Sequence, residues 1–152
     1  MRRSLTISAL SIILILIQTQ ISGGGLWWPA IWLVLGSAGR LSWRGTVMVA
    51  VLAGMAMEPF SRAHFGNIAG PLILCSLGLS FAAARFFDPR SLSMYLWTFF
   101  AVFALFGLRT LFIAITNPAL APESAAALPG LFVINGAGTL AVVALTRRSK
   151  KM

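Results

Sequence analysis

A chain of 152 residues has the length of one ordinary domain, but 59% of it is apolar and only 10% is charged. Together with a mean hydropathy of +0.90, that exceeds what a water-facing surface sustains. The formal charge of +9 would suggest nucleic acid in a soluble protein. Here the basic residues fall in the gaps between long apolar runs, so no nucleic-acid partner is expected and the charge reads as the orientation signal of a membrane protein. The runs do not alternate with period two, and lipid requires every backbone polar group to be satisfied internally, so the runs predict helices.

The first predicted span covers residues 5–21 behind Arg2 and Arg3. A basic start followed by an apolar run has the form of a signal peptide; the length of the run and the lack of a small-residue cleavage site favour a retained helix. Glycines at 23, 24 and 25 predict a short external turn. The second span, 26–40, opens on Trp27, Trp28 and Pro29: two interfacial anchors and a proline suited to a first helical turn. Its apolar part is only roughly 20 Å long at 1.5 Å per residue, short of a hydrocarbon core of about 30 Å. It must therefore snorkel, thin the bilayer or re-enter.

The third span, 45–60, carries Ala50 and Gly54 at a spacing that permits close helix approach, and a polar loop follows at 61–67. A fourth span at 68–87 has Gly70-Pro71 in its first turn. The fifth, 92–116, is the longest and most aromatic, and residues 117–126, with three prolines or acids among them, predict an external loop. The last span, 128–146, runs into the tail Arg147, Arg148, Lys150 and Lys151. With both termini inside, internal segments hold all the basic residues except Arg62, which lies outside, and Arg109, which lies within a helix. The expectation is an all-α membrane protein: one bundle of about six helices over residues 1–152, with no linker or repeat.

Few residues are equipped for chemistry. The acids are Glu58, Asp88 and Glu123, there is one histidine, His64, and the single cysteine, Cys75, has no partner in the chain. No phosphate-binding glycine motif is present. Neither catalysis, a cofactor nor a metal site is expected. Arg109 and Asn135 lie deepest in apolar runs, and groups so placed usually face the bundle and have partners; they read either as glue between helices or as part of a ligand site. Counted from the external helix ends, both lie about 10 Å down, and Glu58 near the end of the third span can reach that level. An ion pair between Glu58 and Arg109, with Asn135 beside it, is the expected arrangement, against the alternative that Arg109 snorkels and Glu58 is solvated.

The segment Gly54-Met-Ala-Met-Glu58-Pro-Phe-Ser-Arg-Ala-His-Phe-Gly66 resembles the rod shape-determining MreD family. The last helix, with Val133-Ile-Asn135-Gly136 ahead of Arg147-Arg148, is similar to that family too, as is Pro29 followed by Trp32-Leu-Val-Leu. Two positions depart: Glu58 stands where the family usually has Asp, and Ala30 where an acid commonly follows the proline. The resemblance implies a non-enzymatic scaffold of the bacterial inner membrane in the cell-wall elongation machinery. It implies binding to a single-span MreC-like protein and, indirectly, to MreB-like filaments and peptidoglycan synthases; self-association is also open. Glu58, Gly54, Gly66, Arg109, Asn135, Gly136 and Pro29 are the candidate structural or partner-binding residues. The rival is a vitamin-binding subunit of an energy-coupling-factor transporter, whose fold that family resembles. Such a subunit needs an enclosed pocket with convergent polar groups, and few intramembrane polar residues are present here.

Overall fold

The structure, a computed structural model, describes residues 2–22, 28–38, 40–60, 66–86 and 92–148. Among them there is no strand. Six helices follow in chain order: α1 (Arg2–Ser22), α2 (Pro29–Ala38), α3 (Trp43–Met57), α4 (Ala69–Arg85), α5 (Leu92–Thr116) and α6 (Ala121–Arg148), with short 3-10 turns at Glu58–Phe60 and Pro118–Leu120. The predicted turn at 23–25, His64, Arg62, Asp88, Arg90 and the two tail lysines lie outside the described residues.

Two helical stretches, Ser93–Thr116 and Pro118–Leu145, are long and apolar enough to cross a membrane, and only 28% of each apolar window is buried. The core helix of a water-soluble protein shows the reverse. Their outward residues are bare and large: Phe103 is 61% exposed, Ile115 72%, Val133 64% and Leu145 66%. Exposed apolar surface of this extent marks a face that a membrane or a protein partner covers. The buried positions include many polar ones, Ser8, Ser11, Ser37, Thr46, Ser76, Ser80, Thr98 and Thr139. Several hydroxyls return to carbonyls of their own helix, as Ser11 does to Ile7 at 2.8 Å, Thr98 to Met94 at 2.7 Å and Thr139 to Asn135 at 2.7 Å.

The short second helix is accommodated in a way the sequence did not suggest. At 10 residues α2 is about 15 Å long, yet it does not meet lipid as a short span would. It runs through the middle of the bundle, in contact with α1, α3, α4, α5 and α6. Pro29, Ala30, Ile31, Val34, Leu35, Gly36, Ser37 and Ala38 are all buried. A helix apolar all round is stable only when enclosed, and here neighbouring helices bury eight of its ten residues.

Boundaries shift elsewhere. Helix α6 begins at Ala121, seven residues before the predicted start, so most of the expected external loop is helical. Pro122 sits in the first turn, where its missing N–H has no intrahelical role, and Glu123 in that turn meets the positive end of the helix dipole. The only further backbone bond lost is at Pro129 inside the helix. Thr110 Oγ1 and Ser124 Oγ lie 3.3 Å apart and join this added turn to α5.

Small residues set the helix spacings. A Cβ on Gly54 would stand 2.7 Å from Ala69 Cα, so the Ala50/Gly54 face predicted for close packing meets the start of α4. On α6, a Cβ on Gly138 would overlap the Trp32 indole, and one on Gly36 would stand 2.7 Å from a Val142 methyl.

A candidate site where the second, fifth and sixth helices meet

The residues singled out in the sequence converge at the end of the bundle where α3 and α5 finish and α2, α4 and α6 begin. Pro29 is the first residue of α2 and holds the residue before it out of the helical region. That residue, Trp28, precedes the helix, so its backbone N–H has no intrahelical carbonyl to bind and turns to α6 instead. On α6 the buried positions Leu131, Asn135, Thr139 and Val143 repeat every four residues and form the stripe that faces α2.

Asn135 closes this junction. Its Oδ1 accepts from the Trp28 backbone N–H at 2.9 Å and from Trp32 Nε1–H at 2.9 Å, and its Nδ2 donates to the Leu131 carbonyl at 2.8 Å. The side chain is fully buried. One amide thus accepts from a helix-start donor and from an indole in an apolar interior, where each such bond avoids a desolvation penalty. Of the two readings open for Asn135, this geometry is that of glue between helices. Gly136 beside it is buried and leaves room for Phe99, whose ring a Cβ would meet at 3.4 Å.

Arg109 approaches the same tryptophan from α5. Buried α5 residues Val102, Leu105, Phe106 and Ile113 define its inward stripe, and Arg109 falls on it. Its guanidinium carbon lies 5.0 Å from the Trp28 ring centroid, and Phe106 meets the same ring edge-on at 5.8 Å and 74°. Indole faces attract cations, more strongly where water is scarce.

Glu58 is used differently from expectation. Only 5% exposed, it sends Oε1 to the backbone N–H groups of Ile68 at 2.9 Å and Ala69 at 2.7 Å. These are first-turn donors of α4, and Ile68 at the N-cap position offers no side-chain bond of its own. A carboxylate from the end of α3 therefore caps α4 and complements its dipole. Oε2 accepts no hydrogen bond and Arg109 Nε donates none, so the expected Glu58–Arg109 ion pair is replaced by a longer-range attraction between the two charges. The backbone amides compete better for the carboxylate because the turn fixes them in place, whereas Arg109 is held over Trp28.

Gly66 makes that turn. It has φ +92°, the one positive φ among the described residues, in a region closed to most side chains. Its carbonyl accepts from Gly70 N at 3.0 Å, and a Cβ would touch nothing. Its requirement is conformational, whereas that of Gly54 is steric.

Trp28, Trp32, Phe106 and Gly138 complete the site; sequence reasoning gave Trp28 the role of an interfacial anchor and Trp32 a place in the family resemblance, and did not single out Phe106 or Gly138. The usable signal was spacing: Gly138 follows Asn135 by three, on the same face of α6. The site holds no arranged nucleophile and base; it organises polar groups and a cation where three helices join. Comparison of the chain with protein-family models, with curated proteins and with solved structures finds no match.

Proposed function

We propose that this chain is a multi-pass scaffold of a bacterial inner membrane, of the rod shape-determining MreD type, with both termini in the cytoplasm, which binds a single-span MreC-like partner during cell-wall elongation. The observation that carries the reading is that the described residues of two of the segments bearing the family likeness, 54–66 and 133–136, hold helices of the bundle together. Glu58, Gly54 and Gly66 fix how α3 turns into α4, and Asn135 fixes α2 against α6. Each side chain is committed to another part of the same chain, which suits a rigid shape presented to a partner. The apolar exterior of α5 and α6 supports the membrane setting, and the basic residues at the other end support the orientation.

Affinity purification from native membranes tests it. The expected result is stoichiometric recovery of a single-span protein with an external extension, and loss of rod shape when the chain is depleted. Recovery without such a protein, together with tight stoichiometric vitamin binding, would replace this reading with the transporter one. A reporter fused to the C-terminus that is active only outside the membrane would reverse the orientation.

A further inference from the structure

At the end of the bundle away from Asn135, a groove opens between the start of α3 and the end of α4. It is about 730 Å³ and is lined among others by Leu41, Trp43, Leu77, Gly78, Phe81 and Ala84. Two contacts fix the helix register: Gly54 against Ala69 and Thr46 Oγ1 to Ser80 Oγ at 3.5 Å. Continuing that antiparallel register brings Trp43 and Arg44 level with residues 82–84, one turn or less from Arg85. Two cations therefore flank one apolar groove.

Each cation is held by a wall of the groove. The Arg44 guanidinium carbon is 5.4 Å from the Trp43 ring centroid, and that of Arg85 is 4.8 Å from the Phe81 ring. Both rings are largely bare, Trp43 at 63% and Phe81 at 55% exposure. The acids of the described residues, Glu58 and Glu123, belong to the opposite end. The positive charge here therefore has no countercharge from them, while apolar area runs from the cations toward the middle of the bundle.

We infer that this groove binds an anionic phospholipid, with an acyl chain lying along Leu77, Gly78 and Phe81 and the headgroup phosphate between Arg44 and Arg85. An amphiphile with one negative end and one long apolar end matches the charge at the rim and the apolar walls below it. A protein helix would fill the walls and leave the two arginines unmatched; a free anion would match the arginines and leave the walls bare. The inference rests on the membrane part of the proposed function and not on the identity of any partner.

The test is fluorescence quenching of Trp43 in reconstituted vesicles of phosphatidylcholine in which a minor fraction is either phosphatidylglycerol or phosphatidylcholine brominated near the headgroup end of its chains. The Trp43 signal is taken as the difference between the wild type and Trp43→Phe. Brominated phosphatidylglycerol should quench at lower mole fraction than the brominated zwitterionic lipid. Arg44→Gln and Arg85→Gln should each weaken that preference roughly fivefold, the equivalent of about 1 kcal/mol per basic residue at an anionic leaflet. Gly78→Leu is a second probe: Gly78 lines the groove and a Cβ there meets nothing within 4 Å, so a larger side chain is accommodated at the groove wall, and it should bring quenching by both lipids to the same level. Equal quenching by the two lipids in the wild type, or an undiminished preference in the double arginine variant, overturns the proposal. So does protection of Trp43 from both lipids by a co-purifying protein. Recovery of the single-span partner by Arg44→Gln/Arg85→Gln separates failure here from failure of the scaffold reading.

Discussion

The two ends of this bundle hold arginines on aromatic rings in opposite ways. At one end Arg109 lies over Trp28, a ring 7% exposed that is itself tied through its backbone to Asn135. At the other, Arg44 and Arg85 lie over rings that face outward. The same cation–π contact is thus part of the internal framework in one place and a feature of the outer surface in the other. The difference predicts where substitutions cost stability and where they change only what the surface binds.

The largest expected effect is at Asn135. Asn135→Leu fills the volume but removes the oxygen that accepts from the Trp28 N–H and Trp32 Nε1–H, and losing a buried acceptor costs about 1–3 kcal/mol per donor. We expect a loss of roughly 3 kcal/mol, read as a shift in reversible SDS-induced unfolding in mixed micelles. Arg85→Gln in the same assay should stay within about 0.5 kcal/mol, as exposed substitutions usually do. Equal losses at the two positions would erase the contrast between the ends.

Gly54→Ala comes next. Its Cβ would stand 2.7 Å from a backbone atom of Ala69, which cannot swing aside as a long side chain would, so α3 and α4 must separate. Overpacking of this sort costs about 1–3 kcal/mol. Because the shift also draws the Ile68 and Ala69 amides away from Glu58, amide hydrogen exchange at residues 68 and 69 should accelerate together with the loss. Unchanged exchange there would separate the helix contact from the cap.

Gly66→Ala should cost less, about 1 kcal/mol, because the new Cβ meets no atom and only the φ of +92° is strained. Gly66→Asn, which tolerates the left-handed region better, should recover part of it in the same unfolding assay. A full loss in both variants would mean that something besides conformation requires glycine there.

How much of this was legible depends on what carries each feature. Helix α5 was readable to the residue, since its long apolar run is broken by a single charge, Arg109, and ends at Asn117-Pro118. The start of α6 was not, because Pro122 and Glu123 are loop signals in most settings and first-turn residues in this one. Counting rise per residue from the predicted helix ends put Arg109 and Asn135 at one level; both do meet Trp28, although α6 starts seven residues before the end from which Asn135 was counted. The central position of α2 was hidden because an all-apolar stretch looks alike whether lipid or protein surrounds it. The partner of Glu58 was hidden for another reason: side-chain patterns show which charges are opposite, whereas the groups that bind it are backbone amides exposed by a helix start ten residues later.

The smallest expected effect bears on that last point. If Glu58 and Arg109 were a direct ion pair, removing either charge would orphan the other, and a double-mutant cycle would give strong coupling, up to about 3 kcal/mol for groups in one network. The geometry gives each a separate anchor. Oε1 of Glu58 stays on the α4 amides, and Arg109 stays on the Trp28 face. Glu58→Gln keeps an oxygen for those amides and so keeps much of the cap; Arg109→Gln loses the cation but leaves the Asn135 junction intact. What remains between them is attraction at longer range, which the partial exposure of Arg109 weakens further. The cycle of Glu58→Gln and Arg109→Gln should therefore give a coupling of only about 0.5 kcal/mol, while Glu58→Ala, which removes the cap, should cost about 1–2 kcal/mol whether or not Arg109 is present. Coupling near 3 kcal/mol, or a Glu58→Ala loss that disappears in the Arg109→Gln background, would mean that the carboxylate serves the arginine rather than the helix.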